Sequence, residues 1–186
     1  MSGAIDIANQ ALVLLGSLPI VSFDDNTTEA NTMNTMYEPT KLQLLRSYPW
    51  RCATRTETLA KLADAPVNTY WQFQFKWPDE AIHMLRVYSQ NYPYNIQNMT
   101  DEWESNGRTV LTHKDNVAAD YVWNIPEPQM DSHVEMVLAA QLAVDMSYAL
   151  TGKRDGQLVQ DYGRKLEEAR PQIDRKRHTR RSGLTH

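Results

Sequence analysis

The chain opens with helical spacing. Ile7, Ala11, Leu14, Leu15 and Leu18 fall on one stripe, which predicts a helix over about 4–15 with Gly16 as its stop. LPIVSFDDNTT has no such period and reads as a loop. Thr27 or Thr28 can cap a second helix over about 28–48, with Glu29 favourable in its first turn. Ala30, Met33, Tyr37, Leu44 and Tyr48 share one side of it. Pro39 lies inside this span and predicts a kink or restart at Glu38–Pro39. Pro49 sets the far limit, because the residue before a proline is pushed out of the helical region.

The period then changes. In YWQFQFKW, Trp71, Phe73, Phe75 and Trp77 alternate strictly with Gln72, Gln74 and Lys76, the signature of a half-buried strand. Four aromatics on one face carry more apolar area than an isolated ribbon can hide, so this face meets a core or a neighbouring subunit. Pro78 ends the run, MLRVY is a second short strand, and YPYNIQNMTD is loop. EWESNGRTVLT sets Asn106-Gly107 between two strand-like runs, a hairpin signal, and DYVWNI is a last strand leading into the turn PEPQMD.

Helical spacing returns after that turn. Asp131 or Ser132 can cap a helix over about 133–150, with Glu135 three residues after Ser132 completing a capping box. VEMVLAAQLAVDMSYAL is small and apolar on most sides and reads as buried, with Gly152 closing it. A final amphipathic helix over about 155–170 carries Leu158, Val159, Tyr162, Leu166 and Ala169, and Pro171 marks its boundary. These elements predict a mainly α protein with some α+β character: a helical bundle with an inserted block of short antiparallel strands, including a hairpin. Residues 1–170 form one domain with a β-rich insertion over about 51–126, and 171–186 are a flexible basic tail.

Composition narrows the class. Apolar residues at 41% and charged residues at 23% suit a globular protein of 186 residues with a real core. The lone Cys52 excludes an internal disulfide and suits a reducing compartment; as a thiol it reads as buried and structural. The start MSGAIDIANQ lacks the basic segment of a signal peptide, and no apolar run approaches the roughly 18 residues of a membrane span, so no membrane partner is expected. The net charge of -4 hides an asymmetry: residues 101–150 carry 2 basic and 9 acidic side chains, and the last 36 residues carry 10 and 5. An acidic body with a basic end lets copies meet head to tail, or lets the two ends face different partners.

No catalytic constellation emerges. His83, His113, His133, His178 and His186 are scattered, with no Cys or acid at a metal-ligand spacing, so no metal or cofactor is expected. Glycine-rich phosphate loops and G-x-S-x-G or H-E-x-x-H motifs are absent. Glu102 and Glu104 in DEWE are the only acid pair that suggests glycoside cleavage; beside a hairpin they read instead as edge charges that block stray strand pairing. The eight methionines lie mostly on helical stripes and read as core filler. Arg175, Lys176, Arg177, Arg180 and Arg181 form a basic run against the single acid Asp174. Five cations neutralise at most about five phosphates, a salt slope near -4.5, which is weak and non-specific. Residues 171–186 also hold no aromatic to stack a base, so one copy is a poor DNA hand, whereas a ring of copies gains by avidity.

The order of landmarks resembles that of a known family. ANQALVLLGSLPIVSF, then LLRSYPW followed by RCATRTETLAKL, is similar to the head-to-tail adaptors of tailed bacteriophages, including the tail tubular protein A family. The family's ALxxLG start corresponds to Ala11-Leu12 through Leu15-Gly16; its PW with a following Ala to Pro49-Trp50 and Ala53; its Leu-Ala ending to Leu59-Ala60. FKWPDEAIHMLRVY, RTVLT with ADYVWNIPEPQMD, HVEMVLAAQLAVDMSYALTG and LVQDYGRKLEEAR follow in the same order, so the likeness spans about residues 4 to 175. Arg51-Cys52 departs from it, where an Asn-Phe or similar pair is more usual. The resemblance implies a structural, non-enzymatic virion protein at the head–tail junction, assembled in the host cytoplasm. It implies a dodecameric ring of copies under the portal protein, joined to a tail nozzle or tail tube protein and continuing the DNA channel. The C-terminal run Arg175, Lys176, Arg177, Arg180 and Arg181 would dock on portal, with channel DNA as a secondary contact. Trp71, Phe73, Phe75, Trp77 and Trp103 would meet a neighbouring subunit or the tail protein. Two other functions stay open on the residues alone: a non-specific DNA-binding protein using the basic end, and a tail-associated cell-wall or polysaccharide hydrolase.

Overall fold

A computed structural model describes residues 3–89 and 102–178, the last eight of these as backbone only. In chain order the elements are α1 (Ala4–Leu15), α2 (Thr28–Ser47), β1 (Thr54–Thr58), β2 (Phe73–Lys76), β3 (Ala81–Ser89), β4 (Trp103–Asn106), β5 (Thr109–Thr112), β6 (Val117–Trp123), α3 (Ser132–Thr151) and α4 (Gly156–His178). Short 3-10 turns at Arg51–Ala53 and Glu127–Gln129 lead into β1 and towards α3. The chain forms two compact units: Met1–Cys52 with Ile125–His186, and Ala53–Asn124.

The helical unit is organised around α3. Val134, Val137, Leu138, Leu142, Ala143 and Met146 are buried there, and α1, α2 and α4 each pack against it. By length and composition α3 could cross a membrane; its apolar side chains are instead largely enclosed by the other three helices. Asp131 caps α3 by accepting the His133 N–H at 3.0 Å, so Ser132 begins the helix rather than capping it. Gly16 and Gly152 close α1 and α3 in the left-handed conformation, each at φ 70°. In α1 the core face is Ile7, Ala8, Ala11 and Leu12; Leu14 and Leu18, placed on the predicted stripe, are exposed.

Two prolines do not break their helices. Thr27 caps α2, which runs unbroken through Pro39. Pro39 has no N–H for the Thr35 carbonyl, but both residues lie on the exposed side, where water can take that acceptor. The helix stops at Ser47, and Tyr48 is extended (φ -154°, ψ 144°), as the following Pro49 requires. In α4 the boundary expected at Pro171 is likewise passed, and the helix reaches His178. The residue four before Pro171 is Glu167, which is exposed, so its freed carbonyl is also open to solvent.

The second unit overturns the expected fold class. Its strands are not a minor block inserted in a mainly α bundle. They make two three-stranded antiparallel sheets, ordered β1-β6-β3 and β2-β5-β4, that constitute a unit by themselves, and the protein is α+β. The chain moves between the sheets repeatedly: after β1, the 60–62 segment leaves the first sheet and hydrogen-bonds along β2, through Lys76 N to Ala60 O and Leu62 N to Gln74 O. All seven residues of the central strand β6 are buried.

The hairpin between β4 and β5 forms where predicted, shifted by one residue. Asn106 pairs with Thr109, so the two turn residues are Gly107 and Arg108. Gly107 has φ 60° and Arg108 keeps a negative φ, the pattern of a type II′ turn with glycine first. Gly107→Ala should therefore destabilise the protein by about 1 kcal/mol through backbone strain, since open space surrounds the added methyl. Denaturant unfolding that shows no loss would disprove this turn assignment.

Candidate functional site

The predicted site residues fall in three places. Arg175, Lys176 and Arg177 occupy the last two turns of α4, where cations suit the negative end of the helix dipole. Arg180 and Arg181 lie outside the described residues. The aromatic set belongs to the second unit, and most of it is held inside that unit. Phe75 is 1% and Trp71 6% exposed, while Phe73, Trp77 and Trp103 are half-buried.

Each aromatic has a local partner. Trp71 donates its indole N–H to Glu104 Oε2 at 2.9 Å and lies against the rings of Tyr70 and His113. Trp77 donates to the Ala81 carbonyl, and the Lys61 ammonium sits over the Phe73 ring at 3.9 Å. The strand is shorter than the alternation predicts, Phe73–Lys76 with Trp71 and Trp77 outside it, and the aromatics go to the strand unit's own core and rim.

The two candidate carboxylates are tied into the same cluster. Glu102 accepts from Tyr70 at 3.2 Å, a bond that raises the phenol above its usual value, and Glu104 holds Trp71. These are anchoring bonds to aromatic side chains, not an acid and a base facing a cleft. Among the described residues no three His, Cys, Asp or Glu gather to hold a metal ion. Cys52 is half-buried rather than buried.

Two polar clusters escaped the sequence reading. In the strand unit, Asp120 of β6 is 7% exposed and accepts from Thr56 (2.6 Å), Arg86 (2.5 Å) and Tyr88 (3.2 Å). The antiparallel register sets Thr56 and Arg86 opposite Asp120 on the two flanking strands, so one carboxylate ties all three strands. Beside it, Tyr121 donates to Glu57, and burial, then that bond, push its phenol up to about 12. Arg55 lies over the Trp123 ring at 3.3 Å and pairs with Glu80. The acid inside the apolar run VAADYVW was the available signal.

In the helical unit, α2 sends three polar groups inward. Lys41, its side chain 4% exposed, bonds Glu127 at 2.9 Å, and Tyr37 donates to the same oxygen at 3.3 Å. Burial, followed by the charge of Glu127, drives the Tyr37 phenol far above its usual range. Burial pushes Glu127 upward too, but the hydrogen bond from Lys41, a backbone hydrogen bond, the Lys41 charge and the Tyr37 hydroxyl together hold the carboxyl below its usual value. Thr40 donates to Asp145 of α3 at 3.2 Å, yet burial prevails there and raises the Asp145 carboxyl. Lys41 falling in step with Tyr37 and Leu44 on an apolar face was the sign of an internal partner.

The helical unit also carries an open apolar groove. A groove of about 490 Å³ runs between α1, α3 and α4, floored by Val13, Leu14, Met136 and Ala139, with Asp6 and Lys165 among its polar lining. Val13 is 68%, Leu14 40% and Met136 44% exposed. Compared with protein-family models and with curated proteins, the chain matches none.

Two outcomes follow from the internal charges. Lys41→Met should cost about 1–2 kcal/mol, because half-buried Glu127 loses its cation and keeps only the Tyr37 hydroxyl, whereas Lys41→Met with Glu127→Gln should recover most of that loss. Equal instability of the single and double variants in denaturant unfolding would contradict this. The Asp145 carboxyl is raised in the fold, so its ionisation opposes folding, and stability is lost as pH rises from the ordinary carboxylate value through the raised one. Asp145→Asn should remove that decline and be the more stable protein at neutral pH. Glu127 acts in the opposite sense: its contribution is present above the ordinary carboxylate value and is lost as pH falls through its lowered one. Melting temperatures of wild type and Asp145→Asn across about pH 3 to 7 check the sign.

Proposed function

We propose that this chain is a structural head-to-tail adaptor of a tailed bacteriophage. Copies form a ring under the portal, join it to the tail and continue the DNA channel, and the C-terminal segment attaches each copy to portal. The observation that carries this reading is the order of its landmarks and their positions in the fold. Leu15-Gly16 ends α1, Pro49-Trp50 follows α2, Leu59-Ala60 is the crossing between sheets, and PEPQMD leads from β6 to α3. Residues that are alike in order and also stand at the joints of the fold are those that a shared architecture needs.

The end of the chain supports the same reading. Arg175, Lys176 and Arg177 lie at the far end of a 23-residue helix that contributes the buried Ala169 to the unit. A helix end rich in Arg and Lys suits attachment to an acidic protein surface. The engaged carboxylates of Glu102 and Glu104 give the hydrolase reading no support.

The test is direct. Mixing the protein with portal rings should give a stacked ring of copies in electron micrographs. Removing residues 172–186 should leave a folded protein that no longer attaches. Undiminished attachment of the truncated protein would show that the C-terminal segment is not the tether. If the chain is instead a DNA-binding protein, gel shifts at low salt will show a complex that dissolves steeply as salt rises.

A further inference from the structure

We propose that copies of this chain associate head to tail through two different surfaces of the helical unit, a groove on one copy receiving an apolar ridge of the next. The proposal supplies the subunit contact for the ring reading above, and rests on that reading only for the closure of the ring. The receiving surface is the groove between α1, α3 and α4, with Val13, Leu14 and Met136 exposed along it. Leu18 at 76% and Val21 at 87% exposure follow α1 directly and add further uncovered apolar side chains. A concentration of exposed apolar groups of this kind on one unit marks an interface.

The entering surface flanks the turn between α3 and α4. Tyr148 near the end of α3 is 67% exposed, and Val159 in the first turn of α4 is 51% exposed. An exposed tyrosine offers a large rigid ring at low entropic cost, and about 490 Å³ of groove has room for it beside a valine.

Charge matches the two surfaces. The groove carries an acid, Asp6, on α1 and a base, Lys165, on α4. The ridge is bordered by exposed Lys153 and Arg154 and by Asp155, so each charge of the groove has an opposite on the ridge. Contacts between two unlike patches of one rigid unit are heterologous, and repeat from copy to copy until the rotation closes a ring. Met136 and Tyr148 both lie on α3, about 18 Å apart along its axis and about a third of a turn round it. The two surfaces are thus separate patches of one unit, and seating one on the other cannot pair either patch with itself. A groove-to-groove pair would instead close on itself at two copies and leave the ridge uncovered.

Cysteine crosslinking separates these arrangements. In a Cys52→Ser background of the full chain, a mixture of the Met136→Cys and Tyr148→Cys proteins should give crosslinked dimers under oxidation, and each alone should not. A chain carrying both cysteines should give a ladder of oligomers. Independently, Met136→Arg should weaken self-association by at least about tenfold in Kd by sedimentation. Dimers from Met136→Cys alone would establish a two-fold contact and overturn the proposal. So would the absence of mixed crosslinks together with unchanged association of Met136→Arg. Attachment to portal without mixed crosslinks would reject this contact and leave the adaptor reading standing; mixed crosslinks without attachment would do the reverse.

Discussion

The fold of the helical unit depends on covering α3. A 20-residue helix with Val134, Leu138, Leu142, Ala143 and Met146 at no more than 1% exposure cannot stand in water, and it has no single polar face to turn outward. One neighbour would cover one stripe; α1, α2 and α4 together cover most of it. The small residues Ala139, Ala140 and Ala143 let those neighbours come close, so that burial and dispersion combine. The chain also leaves this unit after α2 and returns at Ile125, so the helices that cover α3 come from both sides of the strand unit in sequence. Neither half of the chain can complete this core alone.

Polar groups inside both units are placed by the same rule: one carboxylate serves several donors. Asp120 holds Thr56, Arg86 and Tyr88, and Glu127 holds Lys41 and Tyr37. A buried carboxylate with a single partner would leave lone pairs unmet, at a cost that several donors remove. These clusters add orientation that apolar packing lacks. A slip of one residue between β6 and either neighbour would turn Asp120 away from Thr56 or Arg86, so the carboxylate helps to fix the register of all three strands. Asp145 differs: it lies on an exposed position of α3 with Thr40 as its donor, and partial burial pushes its carboxyl upward.

Sequence period showed the helices well and the sheets only in part. Helical stripes carry many residues, so errors such as Leu14 and Leu18 move a face without removing an element. β1 is TRTET, with no apolar residue to announce it, and is a strand because β6 provides a partner. β6 is buried at every position, so it lacks the alternation that marks a half-buried strand. Those two strands turn a supposed insertion into a unit with its own sheets. The prolines depend on context in a related way: Pro39 and Pro171 forbid a helix hydrogen bond locally, while exposure of Thr35 and Glu167 lets solvent take the carbonyls they leave unbonded. Partners across the fold, such as Lys41 with Glu127, are set by tertiary distance and have no sequence period at all.

Coverage of α3 is incomplete at Met136 and again at Tyr148, and both places bear on assembly. Along the groove, Met136 stays 44% exposed although α1 and α4 lie on either side, and Val13 and Leu14 of α1 turn outward beside it. The α1 helix could have carried polar residues at these positions at no cost to its core face, which is Ile7, Ala8, Ala11 and Leu12. Folding of the single chain therefore gives no reason for apolar side chains there. Association gives one, because the same side chains lose their exposure when a second surface seats on them. The unit's core is closed by its own helices, while its edge groove is left open and apolar, a surface that a second copy can cover.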